Sequence, residues 1–138
     1  LYHGTKTGYV SAQYLSSGYS AVSLWVRNLK QFDSRWAELL EPIAQAECGI
    51  PELAQVQLPM EQWMVYLLYR HLPGALEDED IPGRIAFCVL SVRMLAALCA
   101  AHPGCTLADC AEYARMYSAE IEYSEENLSA LLDALWEE

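Results

Sequence analysis

The chain has 138 residues, of which 54% are hydrophobic and 20% charged, and this composition is typical of one folded domain with a hydrophobic core. Its 19 acidic residues and 8 Lys and Arg residues give a net charge of −11. This charge argues against nucleic acid as a partner, because binding to phosphates depends on Lys and Arg, and it favours a basic segment of another protein. The five cysteines mostly lie in apolar helical patterns, which indicates reduced thiols, and the first 20 residues lack the apolar core of a signal peptide. We therefore expect a cytoplasmic protein.

The N-terminal part of the chain predicts an irregular arm followed by two helices. Residues 1–20 are rich in Gly, Ser, Thr and Tyr without a clear period, so we expect a loosely packed arm, with residues 21–138 forming the helical domain. Apolar residues at i, i+3, i+4 and i+7 spacing then predict a helix over residues 19–30. The next helix is predicted to begin at Ser34 or the residue before it, and to kink or restart at Pro42, because proline removes a backbone donor.

The rest of the chain predicts four more helices. One begins near Pro59, and the next, residues 82–101, is apolar nearly all round, as expected of a helix that other helices surround. This stretch is at the short limit for a membrane span and carries Arg93 near its middle, so a buried helix is the favoured interpretation. Thr106 and Ser124 are typical N-caps of the last two helices. The sequence therefore predicts an all-α, single-domain bundle of about five or six helices around a central apolar helix.

Polar side chains follow one margin of the helix that begins after Thr106. At 100° per residue, the side chains that face water are Glu112, Arg115, Ala119 and Glu122. The row on the core margin consists of Tyr113, Tyr117, Glu120 and Ser124. We expect Glu120 to need an arginine or several hydrogen-bond donors, because an unpaired buried charge is costly, with Arg70 or Arg84 as first choices and Arg93 as a third. A structural ion-pair network is the favoured role, ahead of a binding site and of general acid–base catalysis.

Three other groups of residues invite a functional interpretation. Metal ligands are suggested by Cys99, His102, Cys105 and Cys110, but their spacing is not the CxxC pair of zinc sites, so we predict buried thiols, a loop cysteine and no metal. Nucleophilic catalysis by Cys105 and His102 lacks an orienting third group. His71 is predicted to be a satisfied core or helix-end histidine. The acidic run at residues 77–80 lacks the spaced ligands of a calcium loop and favours solvated helix capping.

Two stretches of the chain carry a resemblance to a known family. The sequence YLLYRHLPGALEDEDIPGRIAFCVLSVRML, followed by TLADCAEYARMYSAEIEYSEENLSALLDAL, resembles the C-terminal region of the flagellin lysine-N-methylase family. The resemblance covers residues 60–135, and its most specific part is a YSxEIExSEEN-like motif. The residues that match this motif are Tyr117, Ser118, Glu120, Ile121, Glu122, Ser124, Glu125, Glu126 and Asn127.

The resemblance implies a bacterial methyltransferase-like protein whose partner is flagellin or another lysine-bearing protein. Family members carry an upstream cysteine cluster for iron or zinc, and this chain has none, so we expect a supporting or substrate-recognising helical domain that is not catalytic on its own. S-adenosylmethionine is implied for the full-length protein, but this chain shows no strand and Gly-rich turn for a nucleotide, so no cofactor is expected in it. The alternative is a non-catalytic helical scaffold or interaction domain. An open pocket beside Glu120 would favour the first hypothesis, and a closed polar network would favour the second.

No catalytic residue is identified at this point. The candidates for binding or for a polar network are Glu120, Tyr117, Tyr113, Ser124, Asn127, Arg70 and Arg84.

Overall fold

The computed structural model describes residues 9–10, 26, 29–45 and 57–137, and this part of the chain is all-α, as predicted. The helices in chain order are α1 (Ser34–Gln45), α2 (Gln57–His71), the four-residue α3 (Ala75–Asp78), α4 (Ile81–Ala101), α5 (Leu107–Tyr117) and α6 (Glu125–Ala134). The remaining elements are a 3₁₀ turn (Leu72–Gly74), a π-helical segment (Ser118–Glu122), and an antiparallel pairing of the two-residue strands β1 (Tyr9–Val10) and β2 (Trp136–Glu137).

Local side-chain chemistry explains where the last three helices begin. The Asp80 carboxylate accepts from the Gly83 backbone N–H at 2.9 Å and starts α4. Thr106 and Asp109 form the predicted capping box at the start of α5. Ser124 caps α6, as predicted, and its hydroxyl accepts from the N–H three residues later at 3.2 Å. Asp80 is itself buried, so the solvated cap predicted for the acidic run is wrong at this residue.

The long apolar helix α4 contributes much of the hydrophobic core. It contacts α1, α2, α5 and α6, and its buried side chains include Phe87, Leu90, Met94 and Leu98. Among the described residues, α4 is the one helix long and apolar enough to cross a membrane, and 61% of its most apolar 18-residue window is buried inside the protein. Burial on this scale is what a core helix shows, and it explains why α4 is apolar nearly all round.

The N-terminal predictions fall mostly outside the described residues. This applies to the arm at 1–20, apart from β1, and to most of the helix at 19–30. Of that helix, Val26 is helical and buried, but Leu29 and Lys30 are not helical, so the predicted end at residue 30 is wrong. Helix α1 begins at Ser34, as predicted, and runs through Pro42 to Gln45 without a restart.

A change of helical type at the end of α5 decides which residues face the core. The Tyr123 N–H donates to the Ser118 carbonyl at 3.0 Å, five residues back instead of the usual four. The wider turn advances each residue by less than 100° around the axis. As a result, Glu120, Ile121 and Glu122 are all buried, although a regular α-helix would have turned the last of these toward water.

Candidate functional site

Glu120 is buried, as predicted, but its partners are backbone groups and not an arginine. Its two carboxylate oxygens accept from the N–H groups of Phe32 and Asp33 at 2.9 and 2.7 Å. The residue is 2% exposed. The predicted pairing with Arg70, Arg84 or Arg93 is therefore wrong. Two N–H groups that precede α1 supply the hydrogen bonds, and a carboxylate stabilised by backbone donors needs no cation.

Asn127 completes a clamp on the same loop. Its side-chain Nδ2 donates to the carbonyls of Lys30 and Glu120, both at 2.7 Å, and its Oδ1 accepts from the Lys30 N–H at 3.1 Å. Asn127 is buried, and its bond to the Glu120 carbonyl is buried, whereas its two bonds to Lys30 are partly buried. Together, Glu120 and Asn127 form a loop clamp, which holds residues 30–33 against the junction of the π segment and α6.

Glu122 is the second buried carboxylate, and the prediction that it faces water is wrong. Its side chain is fully buried, and its Oε2 accepts from His71 Nε2 at 2.5 Å and lies 3.3 Å from Arg70 Nε. Its Oε1 accepts from the Ser118 hydroxyl at 2.6 Å. The Tyr66 hydroxyl donates to the same carboxylate at 3.3 to 3.4 Å. The carboxylate therefore ties the last turns of α2 to the π segment.

The electrostatics of Glu122 are explained by these contacts. Burial by itself raises the pKa of the carboxyl group, but hydrogen bonds from His71 and Ser118, with the charges of His71 and Arg70, outweigh burial and lower the pKa below its usual value. Burial and the nearby carboxylate raise the pKa of Tyr66, so its hydroxyl remains a donor. His71 also packs edge-on against Phe87 at 4.8 Å between ring centroids. It is the satisfied core histidine that the sequence predicted, in a polar cluster that the sequence did not predict.

The Glu122 cluster reaches the surface through aromatic and cationic side chains. The half-exposed Arg70 guanidinium lies 5.0 Å from the centroid of the exposed Tyr123 ring. Tyr66 stacks on Trp63 with centroids 5.1 Å apart. Sequence reasoning missed Tyr66 as a member of this cluster, although its i, i+4 spacing to Arg70 places both on one face of α2.

The two predicted tyrosines make separate contacts, and their hydrogen-bond and ring partners in the described part of the chain do not include Glu120. The Tyr117 hydroxyl shares a 2.6 Å hydrogen bond with Ser91, and its ring lies edge-on to Trp36 and Trp63. Burial raises its pKa, so the phenol is neutral. Tyr113 instead stacks at a tilt on the His102 ring, 5.7 Å between centroids. Neither tyrosine forms a polar pocket with Glu120.

Arg84 forms an ion pair with Asp78, away from the contacts described above. Its Nε and Nη2 donate to Asp78 Oδ2 at 3.0 and 2.7 Å. Its guanidinium packs so closely against Gly74 that a Cβ there would lie 2.5 Å from Cζ. The seven predicted residues therefore do not form one pocket. They are divided among a loop clamp (Glu120 and Asn127), a helix cap (Ser124), a buried ion-pair cluster (Arg70), a core hydrogen bond (Tyr117), a ring contact with His102 (Tyr113) and a loop bridge (Arg84).

An apolar groove that sequence reasoning missed lies at the junction of α2, α3 and α4. It has a volume of about 550 Å³ and is lined by Leu68, Tyr69, Leu72, Pro73, Ala75, Leu76 and Ile81. Tyr69 is 82% exposed and Leu76 is 89% exposed. Glu77 and Glu79, which follow Leu76 within three residues of the chain, are exposed. The signal in the sequence was the group of apolar residues inside a stretch that otherwise resembles a loop.

Three of the four residues considered as metal ligands come together in the fold. The Sγ atoms of Cys99, Cys105 and Cys110 all lie within 4.8 Å of one another. The fourth residue, His102, points elsewhere, and its Nε2 lies 3.2 Å from the Leu39 carbonyl. Burial is the main cause that raises the pKa values of Cys99 and Cys105, so both are neutral thiols at pH 7.

Both carboxylates are unsuited to acid–base catalysis in this arrangement. Glu120 and Glu122 are 2% and 4% exposed, and hydrogen bonds from the protein occupy their oxygens. A substrate would have to displace the loop at residues 30–33 or the end of α2 to reach them. This arrangement corresponds to the closed network and not to the open pocket.

Comparisons with known proteins add no relative to this picture. The chain matches no protein-family model, and no curated protein or solved structure is significantly similar to it.

Proposed function

We propose that this chain is a protein-binding helical domain that recognises a lysine-bearing segment and has no catalytic activity of its own. The observation that carries the proposal is the exposed apolar groove, next to which the chain continues into the exposed residues Glu77 and Glu79. The buried Glu120 and Glu122 support the non-catalytic part, because internal hydrogen bonds occupy both carboxylates and leave neither of them positioned to transfer a proton to a substrate.

The shape and chemistry of the groove favour a peptide segment with apolar side chains. A contiguous exposed apolar surface is typical of a protein-interaction site. Tyr69 and Leu76 would each bury a large apolar area against such a segment. Lysines next to the apolar side chains would be attracted by Glu77, by Glu79 and by the net charge of −11.

The resemblance to flagellin lysine-N-methylases makes flagellin the first partner to test. In this proposal the domain holds the lysine-bearing protein, and S-adenosylmethionine and the chemistry of methyl transfer belong to another part of a longer protein. The second candidate is a scaffold without a substrate, and the specific observation that favours it is the closed network of Glu120, Asn127 and Glu122.

Calorimetric titration of the chain with purified flagellin, and separately with S-adenosylmethionine, tests the proposal. We expect flagellin to bind and S-adenosylmethionine not to bind. Leu76→Glu should weaken flagellin binding at least tenfold, because it places a charge in the apolar groove. The matched control is Leu107→Glu, which introduces the same charge at a side chain that is 70% exposed in the first turn of α5 and should change the affinity less than twofold.

The other outcomes each contradict part of the proposal. Binding of S-adenosylmethionine to this chain would contradict the non-catalytic role. If flagellin binds and both variants weaken its binding equally, the interface lies outside the groove. If neither flagellin nor S-adenosylmethionine binds, the scaffold without a substrate is the remaining interpretation.

A further inference from the structure

We propose that Cys99, Cys105 and Cys110 form a three-thiolate site for one thiophilic d¹⁰ cation, of which Zn²⁺ and Cu⁺ are the two candidates. The three Sγ atoms all lie within 4.8 Å of one another, and those of Cys99 and Cys110 are 3.2 Å apart. Three sulfurs bound to one zinc ion at about 2.3 Å would lie about 4 Å apart. The thiols are therefore already close to the spacing that a shared metal ion requires.

The fold brings the three cysteines together from three consecutive pieces of the chain. Cys99 lies in the last turn of α4, Cys105 lies in the following loop, and Cys110 lies in the second turn of α5. Gly104 has a positive φ of 81°, which lets the loop turn back sharply enough to place Cys105 against the helix ends. The Cys105 Sγ lies 3.7 Å from the Cys99 carbonyl and within 4.8 Å of the other two Sγ atoms. The loop thiol therefore already lies beside the two helix thiols.

The ligand atoms select the class of ion. The cluster contains three sulfurs and no carboxylate, which favours soft ions over Mg²⁺ or Ca²⁺. Binding converts three thiols and one metal ion into a complex with three metal–sulfur bonds and releases three protons to the solvent, so the complex has a net charge of −1 with Zn²⁺ and −2 with Cu⁺. The fourth position of a tetrahedral zinc ion remains for an external ligand, or for His102 if it leaves the Leu39 carbonyl.

The burial of the cluster is suited to a structural ion with one accessible side. Cys99 and Cys110 are buried, whereas Cys105 is half-buried in a loop whose Pro103 and Gly104 are exposed. An ion can therefore enter from the loop side without unfolding α4 or α5. Once bound, it would tie the end of one helix to the start of the next across the shortest connection between them.

Titration of the reduced, metal-free chain with Co²⁺ tests the site. Cobalt bound by thiolates gives a charge-transfer absorption in the near ultraviolet, and we expect this band to saturate at one ion per chain. Added Zn²⁺ should displace the cobalt and abolish the band. A parallel titration with Cu⁺, followed by native mass spectrometry of a chain offered both ions, identifies which of the two ions the site prefers.

Variants separate coordination from general stability. Cys105→Ser should weaken Co²⁺ binding at least tenfold while the circular dichroism of the helices is unchanged, because this residue lies in a half-buried loop position. Cys88→Ala, a buried cysteine of α4 outside the cluster, should bind with the affinity of the unmodified chain. Zn²⁺ should raise the melting temperature of the unmodified chain and of Cys88→Ala, but not that of Cys105→Ser.

Three results would overturn the assignment. The first is the absence, in the folded chain, both of a saturable Co²⁺ charge-transfer band and of Cu⁺ binding at one ion per chain. The second is equal loss of binding in Cys105→Ser and Cys88→Ala, which would indicate non-specific capture by thiols. The third is unchanged binding in Cys105→Ser, which would leave at most the pair formed by Cys99 and Cys110.

Discussion

Glu120 and Glu122 lie two residues apart in one π-helical segment, and both are buried, yet the protein satisfies them by different means. Glu120 receives two backbone N–H groups from the loop before α1. Glu122 receives side chains: a histidine and an arginine from the end of α2, a serine one turn back, and a tyrosine. The first carboxylate is held by neutral donors whose positions the backbone fixes, and the second by groups that are charged or free to rotate.

The difference separates two structural roles. The Glu120 carboxylate orders the loop before α1, which has little regular structure of its own. The carboxylate oxygens accept from the N–H groups of Phe32 and Asp33, which would otherwise lack a partner in the loop. The Glu122 site joins two helices, and its stability depends on charge. Loss of Glu120 should therefore loosen a loop, whereas loss of Glu122 should weaken the packing of the whole domain.

The largest expected effect is that of Glu122→Ala. Removing this carboxylate leaves His71 and the inner side of Arg70 without their buried partner, and breaking a buried ion pair costs about 3–5 kcal/mol. Urea denaturation followed by circular dichroism measures the free energy of unfolding. The matched control is Glu112→Ala, which removes an exposed carboxylate paired with Arg115 on the same helix and should cost less than about 1 kcal/mol. Equal losses in the two variants would contradict the role assigned to Glu122.

A smaller and more local effect is expected of Glu120→Gln. The amide keeps the shape but can accept only one of the two backbone N–H groups, and the loss of a hydrogen bond to a charged group costs about 1.5–3 kcal/mol. Hydrogen exchange should show that the amides of Phe32 and Asp33 lose protection relative to the amides of α4.

The comparison between the two carboxylates is sharpened by Glu122→Gln under the same conditions. This variant should lower the global free energy of unfolding. The hydrogen-exchange protection of the Phe32 and Asp33 amides should then fall by no more than the protection of the α4 amides. A selective loss of protection at these two amides in Glu122→Gln would show that the two sites are not separate.

The smallest expected effect is a dependence of stability on acid pH. The pKa of Glu122 lies below its usual value of 4.5 in the folded protein, so its ion pair stabilises the fold at pH values above 4.5. This contribution is lost as the pH falls below 4.5 and through the folded-state pKa. The difference in free energy of unfolding between the unmodified chain and Glu122→Gln should therefore shrink in acid. A difference that stays constant from pH 7 to pH 3 would contradict the charged contacts.

Much of the helical architecture could be predicted because its signals are local. The capping box at Thr106, the cap at Ser124 and the apolar helix before them depend on residues within one or two turns of each other. The burial of Glu120 was predicted as well, because it lies three residues after Tyr117 and continues the same side of the helix. The two-residue strands β1 and β2 had no local signal, and neither did the exact start of α2.

The polar partners could not be predicted, since they come from distant parts of the chain. Glu120 binds N–H groups 87 and 88 residues away, and Glu122 binds a histidine 51 residues away. The likeness of the YSxEIExSEEN-like motif to flagellin lysine-N-methylases stays a prediction, but the contacts of its residues give it a physical role. Six of its members (Tyr117, Ser118, Glu120, Glu122, Ser124 and Asn127) each make a hydrogen bond through the side chain.

The sequence by itself determined that this protein is helical, where its capped helices begin, and that its surface is acidic, because these properties depend on spacing and composition. The tertiary structure decided which carboxylate is buried among charged side chains. At the end of α5 the hydrogen bonds connect residues five apart instead of four, and this π-helical turn places Glu122 in the interior. It also decided that three cysteines meet and that seven apolar residues form one groove. Both arrangements depend on how helix ends and connecting loops are placed in space, and no periodicity in the sequence encodes that placement.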